Sequence, residues 1–321
     1  MTQPSGPGGT VIDHFASFDG TRIAYTDDGI GPAVILLHGY GIDGQQNFGP
    51  FDHSRPMLER TAFMFREAFG YAPPMPEPPA EGRPGLTAFL RARGSRVIVP
   101  DMRGFGRSDK PDDPAAYADS AMARDVVALI EHLDLDSVDV CGFSMGAHNT
   151  AKLLALRPPT LRSAVLAGIG DYILEGEAMD LPKEMPLPAH LPRPITLPVH
   201  AAEGARLLEA GTIEPGNVLS ANLVMARATS ADPKVLAAVL RGTMAEQISP
   251  ASLAQAAPAL VVNGRNDVAN QTTRQLLAVI PDATAAVCAG DHGTTPFEPS
   301  FQQAVYDFLA AQHHGRPLPP T

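Results

Sequence analysis

One serine in this chain stands where a serine can act as a nucleophile. Residues 138–146 read Val-Asp-Val-Cys-Gly-Phe-Ser-Met-Gly, so an apolar run leads into Gly-x-Ser-x-Gly, and a helix-like run follows. This order predicts a strand, a sharp turn at Ser144 and a helix. Because Gly142 and Gly146 lack a Cβ, the backbone can fold tightly and expose the Ser144 hydroxyl beside N–H groups of the helix start. The alternative interpretation is a serine that only caps the helix.

A serine hydroxyl needs an adjacent base to attack at neutral pH, and histidine suits this role because its pKa lies near about 6.5. The chain has ten histidines, so the presence of one carries no weight. His292 is distinguished by its position, since it follows a strand-like run that ends at Cys288 and precedes the last helix-like run. We therefore expect His292 to be the base.

The elements that must position these residues alternate along the chain. Apolar runs predict strands at 11–17, 22–26, 33–37, 96–100, 138–141, 163–167, 259–262 and 283–288, and helical spacing predicts helices at 121–133, 145–156, 271–280 and 297–311. This alternation predicts an α/β fold: a mostly parallel central sheet with helices on both faces, which binds ligands beyond the carboxyl ends of its strands. Ser144, Asp267 and His292 each follow a predicted strand, as does the loop 38–41. We expect all four to meet at one edge of the sheet.

These motifs, in this order, resemble the α/β-hydrolase superfamily. Gly-Phe-Ser144-Met-Gly is similar to its nucleophile elbow, Gly-Arg-Asn-Asp267 to its acid loop, and Gly-Asp-His292-Gly-Thr-Thr-Pro-Phe-Glu-Pro to its histidine loop. The resemblance implies a triad in which Asp267 orients His292. Asp171 is the alternative acid, because some relatives place the acid after the strand that precedes it.

The resemblance also implies an oxyanion hole made by two backbone N–H groups. These belong to Tyr40, in His38-Gly-Tyr-Gly41, and to Met145, which follows the nucleophile. His38 itself is expected to be structural and to bridge loops beneath the site.

A Gly-rich loop at 101–109 matches the superfamily as well, and we expect it to shape a turn without taking part in the chemistry. Its continuation Ser108-Asp-Lys-Pro111 is similar to dehalogenase and epoxide-hydrolase relatives. Those relatives use an aspartate nucleophile, and this chain has Ser144 instead, which counts against both activities.

Two long stretches interrupt the alternation. Residues 170–250 begin with a proline-rich segment and continue with helix-like pieces near 200–210, 217–228 and 233–246, and the resemblance implies a helical cap here. Residues 44–94 form an atypical insertion, with a helix-like piece at 57–69 and six prolines between 73 and 84. This insertion is either a lid beside the pocket or a surface excursion. The predicted core is then 11–169 and 251–312, with flexible termini at 1–10 and 313–321.

Composition and charge limit the kinds of binding partner and cofactor that we expect. A net charge of −11 argues against nucleic acid and anionic membranes as main partners. The first ten residues lack the features of a signal peptide and no run of 18 apolar residues occurs, so we expect a cytoplasmic protein without a membrane span. Cys141 and Cys288 fall in predicted buried strands and are expected to be core residues. No cluster with metal-ligand spacing is found, so neither a metal nor an organic cofactor is expected.

The function that the motifs imply is a serine hydrolase. It would cleave an ester-type bond of a small molecule with an apolar acyl or alcohol part, through an acyl-enzyme intermediate. A thioesterase, amidase, lactonase or carbon–carbon bond hydrolase would use the same triad, and a non-catalytic ligand-binding protein is the alternative of another class. The substrate and the oligomeric state stay open.

Overall fold

The computed structural model describes residues 11–52, 55–56, 59, 63, 83–267, 270 and 272–313. Within them eight strands form one sheet in the order β1-β2-β4-β3-β5-β6-β7-β8. The strands are β1 (Asp13–Ala16), β2 (Arg22–Asp28), β3 (Ala33–Leu37), β4 (Arg96–Pro100), β5 (Val138–Phe143), β6 (Leu161–Ala167), β7 (Ala259–Gly264) and β8 (Thr284–Cys288). Strand β2 pairs antiparallel with β1 and β4, and the other neighbouring strands pair in parallel. The predicted mostly parallel sheet is confirmed.

Helices cover both faces of this sheet, as predicted. They are α1 (Gly44–Phe48), α2 (Leu86–Arg91), α3 (Ala121–His132), α4 (Met145–Leu156), α5 (Leu197–Ala210), α6 (Ala221–Thr229), α7 (Pro233–Arg241), α8 (Pro250–Leu253), α9 (Arg274–Val279) and α10 (Pro299–Gln312). Successive side chains of a strand point to opposite faces. In β3, Ile35 and Leu37 pack in the core that contains α3 and α4, whereas Val34 and Leu36 pack with α1, α2 and α10.

The central strands are buried throughout because both faces of the sheet are covered. All five residues of β3 and all six of β5 are buried. A strand buried on both sides gains from a continuous apolar run rather than an alternating one. This explains why short runs of Val, Ile and Leu predicted β3 and β4 to the residue, while β5 extends two residues further and delivers the chain directly to Ser144.

Helices α5, α6 and α7 lie between β6 and β7 in the chain, where three helix-like pieces were predicted. Their apolar faces meet one another and the core, and Leu207, Leu223, Leu236 and Val239 are buried there. Helix α7 buries six consecutive residues, 235–240, so it is enclosed on all sides between its polar ends.

Both ends of the stretch 44–94 belong to the packed body of the molecule. Phe48 of α1 and Leu86 and Leu90 of α2 are fully buried against one face of the sheet. Most of the predicted helix at 57–69 and most of the proline-rich segment lie outside the described residues, as do the termini 1–10 and 314–321. Among the helices described, none has the length and apolar character needed to cross a membrane.

Candidate active site

The turn between β5 and α4 holds Ser144 in an unusual backbone conformation. Its φ is 55° and its ψ is −115°, outside the regions that non-glycine residues favour. Such a conformation costs of the order of 1–3 kcal/mol and persists only where the surroundings impose it. Here the Ser144 N–H donates to the Ala167 carbonyl of the neighbouring strand at 2.8 Å. The turn is therefore locked to the sheet.

The two glycines of the turn are required by close backbone approach. A Cβ on Gly146 would overlap the carbonyl oxygen of Leu37 in β3, and a Cβ on Gly142 would overlap the carbonyl of Gly146. These neighbours are backbone atoms and cannot swing aside. The glycines let α4 start directly above the strand ends, with Ser144 at the tip of the turn.

Ser144, His292 and Asp267 form a continuous chain of hydrogen bonds. Ser144 Oγ lies 2.9 Å from His292 Nε2, and His292 Nδ1 lies 2.8 Å from Asp267 Oδ2. The Asp267 side chain is 1 % exposed, whereas that of His292 is 46 % exposed. The loops after β5, β7 and β8 thus bring the three predicted residues together, with the carboxylate buried and the imidazole open to a reacting molecule.

Two asparagines that sequence reasoning missed hold the acid. Asn270 Nδ2 donates to Asp267 Oδ1 at 2.9 Å, the oxygen that His292 does not use. Asn263, at the end of β7, donates to the Asn270 carbonyl at 2.6 Å and exchanges two hydrogen bonds with the backbone of Ile169. The only sequence signal was a polar residue at the end of the apolar run Leu260-Val-Val-Asn263.

The alternative acid, Asp171, makes hydrogen bonds to a different part of the chain. Its Oδ1 accepts the Leu276 N–H of α9 at 2.9 Å, and its own N–H donates to the Thr272 carbonyl. No hydrogen bond joins it to His292 in the described chain. Asp291, next to His292, accepts the N–H groups of Gly293 and Thr294 and closes the histidine loop.

Charge around His292 sets its protonation. Partial enclosure by itself lowers the pKa of an imidazole, but the Asp267 carboxylate beside Nδ1, and Asp291 further away, outweigh it and raise the pKa of His292 above the ordinary value. A stronger base takes a proton from a serine hydroxyl more readily.

Two backbone N–H groups at the serine are free to donate. Tyr40 and Met145 have no hydrogen-bond acceptor for their amides in the described part of the chain. Met145 is the first residue of α4, where amides lack helical partners and the helix dipole is positive. The loop with Tyr40 passes next to Ser144, since a Cβ on Gly39 would lie 3.5 Å from Ser144 Cβ.

The peptide that presents the Tyr40 N–H is held at its other end by His38. The His38 Nδ1–H donates to the Gly39 carbonyl at 2.8 Å, and its Nε2 accepts the Met102 N–H at 2.9 Å. The C=O and N–H of one trans peptide point in opposite directions, so the bond to Gly39 turns the Tyr40 N–H away from His38. Burial lowers the pKa of His38, which keeps the ring neutral and able to make both contacts.

A second side chain fixes the same loop. Asn47 of α1 is 3 % exposed, and its Oδ1 accepts the Gly39 N–H at 2.7 Å. The sequence carried no recognisable signal for this contact, because it depends on α1, which was not predicted.

The Gly-rich loop at 101–109 supports the site from below. Arg103 is fully buried and pairs with Asp125 and Asp19. Phe105 places its ring against His38, with 5.3 Å between ring centroids, and against Tyr40, with 6.0 Å. These contacts are structural, and no group of three or more His, Cys, Asp or Glu side chains suited to a metal occurs in the described ranges.

Helices α6 and α7 lie over the loop that carries Tyr40. Met225 of α6 contacts Gly41, and the Tyr40 hydroxyl donates to the Leu236 carbonyl of α7 at 3.0 Å. A groove of about 390 Å³ runs beside this contact and is lined by Ile42, Phe105 and residues 229–232, among others.

Comparison with known proteins agrees with this architecture. A family model described as alpha/beta hydrolase fold matches residues 83–193. Among solved structures, the esterase RhEst1 from Rhodococcus sp. ECU1013 is 23 % identical, with a TM-score of 0.61 over 94 % of this chain and 99 % of that one.

Curated relatives match shorter parts of the chain. An epoxide hydrolase from Caballeronia sordidicola is 25 % identical over 170 residues, which are 53 % of this chain and 40 % of the relative. A 2-hydroxymuconate semialdehyde hydrolase from Pseudomonas sp. (strain CF600) is 34 % identical over 104 residues, 29 % of this chain and 36 % of the relative. The matched part thus spans two fifths or less of the length of either relative.

Proposed function

We propose that this chain, which has the α/β-hydrolase fold, is a serine hydrolase that cleaves an ester-type bond of a small molecule. The observation that carries this proposal is the hydrogen-bonded chain from Ser144 through His292 to Asp267, which starts from a strained serine. Each distance lies in the range required for proton transfer. We assign the role of nucleophile to Ser144, that of base to His292, and that of the group that orients the base to Asp267.

In the proposed acylation step, His292 Nε2 takes the proton of Ser144 Oγ as that oxygen attacks the substrate carbonyl. The negative charge that forms on the carbonyl oxygen is held by the N–H groups of Tyr40 and Met145, each of which contributes of the order of 10²- to 10³-fold in rate. Asp267 stabilises the resulting imidazolium through Nδ1. His292 then gives its proton to the departing alkoxide, and the acyl group stays on Ser144.

Deacylation repeats the same steps with water. His292 takes a proton from a water molecule, whose oxygen attacks the acyl-enzyme carbonyl. The tetrahedral intermediate uses the same two amides, and its collapse returns the proton from His292 to Ser144 Oγ. The acid product leaves, and no group besides those of the chain, the ester and water is consumed.

The side chains around Ser144 favour a substrate with an apolar part. Ile42 lies beside Gly39 in the loop that carries Tyr40, and Met225 covers Gly41. We propose that α5, α6 and α7 form a cap whose apolar side chains bind this part of the substrate. Apolar surface excluded from water gives about 25 cal/mol per Å², so longer acyl chains should bind more tightly until the space is filled.

A carbon–carbon bond hydrolase is the second candidate, because one relative is named as a 2-hydroxymuconate semialdehyde hydrolase. Such an enzyme would use the same serine and histidine to attack the carbonyl carbon of a ketone. A paired assay of p-nitrophenyl esters and a vinylogous 1,5-diketone separates the two, since the proposal requires the esters to have the higher kcat/KM.

Covalent labelling at Ser144 tests the proposal directly. A fluorophosphonate should add to the folded wild type at Ser144, as seen by peptide mass, and Ser144→Ala should neither label nor hydrolyse p-nitrophenyl butyrate. Ser252→Ala is the matched control. Its hydroxyl only donates to the Ser249 carbonyl at a helix start, so labelling and turnover should match the wild type.

The same measurements also test the alternative functions. A folded wild type that does not label would favour a ligand-binding protein, and Ser144→Ala with unchanged turnover would place the nucleophile elsewhere. Circular dichroism of Ser144→Ala checks that the loss of activity does not come from unfolding.

A further inference from the structure

Tyr40 is attached to two parts of the molecule at once. Its backbone N–H lies in the loop next to Ser144, and its hydroxyl donates to the carbonyl oxygen of Leu236 in α7 at 3.0 Å. Leu236 belongs to the proposed cap, more than 190 positions later in the chain. One residue therefore joins the proposed oxyanion hole to the helices above it.

The hydroxyl is well suited to hold this contact. Burial raises the pKa of Tyr40 well above its ordinary value, so the phenol stays protonated and can donate at any working pH. A carbonyl in a helix has two lone pairs, and the Leu236 oxygen can accept from Tyr40 as well as from its own helix. The hydrogen bond therefore need not weaken α7.

The ring between these two ends has little freedom. It lies edge-on to Phe105, with ring planes at 72°, and Phe105 in turn packs on His38. A tyrosine side chain has only two rotatable bonds before the hydroxyl, so a displacement of α7 reaches the Tyr40 Cα through a short, stiff link. The N–H that would face the oxyanion is bonded to that same Cα.

The next residue has a contact of the same kind. Gly41 has a φ of 80°, and a Cβ there would lie 2.6 Å from Met225 Cγ. The Met225 side chain of α6 is thus seated directly on the loop, and it would have to move if residue 41 carried a side chain. Two successive residues of the loop, 40 and 41, are contacted by two successive helices.

We propose that the Tyr40 hydroxyl is a positioning group that couples the seating of α6 and α7 to the orientation of the oxyanion-hole amide. This rests on the proposed serine hydrolase. A substrate whose apolar part packs under these helices would then also hold the Tyr40 N–H in place. Binding energy gained far from the carbonyl would thus stabilise the transition state.

Tyr40→Phe tests the coupling because it removes only the hydroxyl and keeps the amide. We expect kcat for p-nitrophenyl butyrate to fall about 3- to 10-fold, the equivalent of one net hydrogen bond, while KM changes less than twofold. A trifluoromethyl ketone, which forms a tetrahedral adduct with Ser144 and places an oxyanion in the hole, should bind more weakly by the same factor. The affinity of the product acid should be unchanged.

Tyr117→Phe is the matched control. Tyr117 is fully buried and its hydroxyl donates to the Pro111 carbonyl at 2.6 Å, so the variant loses the same kind of hydrogen bond away from the loop 38–41. It should lower the thermal midpoint about as much as Tyr40→Phe does, with kcat and inhibitor affinity within twofold of the wild type.

The outcomes separate this inference from the function on which it rests. Wild-type protein that neither labels with fluorophosphonate nor turns over any ester would refute the hydrolase. An active wild type with Tyr40→Phe equal to it in kcat and in trifluoromethyl ketone affinity would refute the coupling alone. The coupling would also be refuted if Tyr117→Phe lost as much kcat as Tyr40→Phe.

Discussion

His292 differs from the buried histidines His38 and His148 in the charges that face it. His38 and His148 form no ion pair in the described chain, and burial lowers the pKa of each. His292 has Asp267 at 2.8 Å and Asp291 nearby, and its pKa is raised. Identical side chains thus acquire different protonation from their neighbours, which is how a general base is distinguished from a structural ring.

The raised pKa of His292 predicts the pH dependence of hydrolysis. Only the neutral imidazole can take the serine proton, so kcat/KM should fall as the pH drops through the pKa of His292, with a midpoint above its ordinary value of 6.5. Asp267→Asn removes the charge that raises this pKa. We expect a lower midpoint and a loss of kcat of about 10²-fold or more, measured as pH–rate profiles with p-nitrophenyl butyrate.

Asp171→Asn provides the comparison for that profile. Asparagine keeps an oxygen that can accept the Leu276 N–H, so we expect a far smaller loss of rate and an unshifted midpoint. The reverse ranking of the two variants would assign the role of the acid to Asp171.

At the scale of elements, the shortest helix near the site does the most for the oxyanion loop. Helix α1 has only five residues, and a capping box between Asp43 and Gln46 closes its start. This fixes Asn47, whose Oδ1 then reaches the Gly39 N–H. A short helix with a well-made cap is enough to position one side chain.

Asn47→Leu should therefore damage catalysis. Leucine has a similar shape but leaves the buried Gly39 N–H without an acceptor, which costs about 1–3 kcal/mol and frees the loop to rotate. We expect kcat to fall about 10-fold, as followed by ester hydrolysis well below the thermal midpoint.

Gln46→Ala is the control within the same helix. Its Oε1 accepts the Asp43 N–H at 3.1 Å, so this variant also removes a side-chain acceptor from a backbone amide of α1. It should lower the stability and reduce kcat less than Asn47→Leu does, because Asp43 Oδ1 still accepts the N–H of residue 46. An equal loss of kcat would show that α1 as a whole, rather than Asn47, matters.

At the scale of the whole molecule, an ion pair joins the segment after α7 to α4, the helix that follows Ser144. Lys152 of α4 is 3 % exposed; it pairs with Glu246 and donates to the carbonyl and hydroxyl of Thr243. The Glu246 carboxylate also accepts the N–H groups of Asp119 and Ser120 before α3. Three separate parts of the chain thus meet at one charge pair.

Removal of the acid from this pair should lower the free energy of unfolding more than removal of the base. In Glu246→Gln the Lys152 ammonium is buried without its counter-ion, a situation worth about 3–5 kcal/mol, whereas Lys152→Met leaves a partly exposed carboxylate with two N–H donors. Urea unfolding of both variants measures the difference. Arg241→Gln, which breaks an exposed pair with Glu209, should cost less than about 1 kcal/mol.

The same variant should respond to pH. Burial lowers the pKa of Lys152 in the folded wild type, and loss of Glu246, which raises it, lowers it further. The unfolded chain then binds more protons, so the free energy of unfolding of Glu246→Gln should rise relative to the wild type as the pH is raised toward the ordinary lysine pKa of 10.5. A difference that does not change with pH would mean that Lys152 keeps its proton.

The sequence by itself determined the sheet and the order of its chemistry. Eight apolar runs became eight strands, and Ser144, Asp267 and His292 each follow a strand as their spacing predicted. Local residue types record both the burial of the central strands on two faces and the tight glycine turns. The tertiary structure alone decided which groups hold these residues. Asn47 and the Tyr40 hydroxyl make contacts with partners 8 and 196 positions away. No local pattern records such a contact, because a side-chain hydrogen bond depends on where the packed elements bring its two ends.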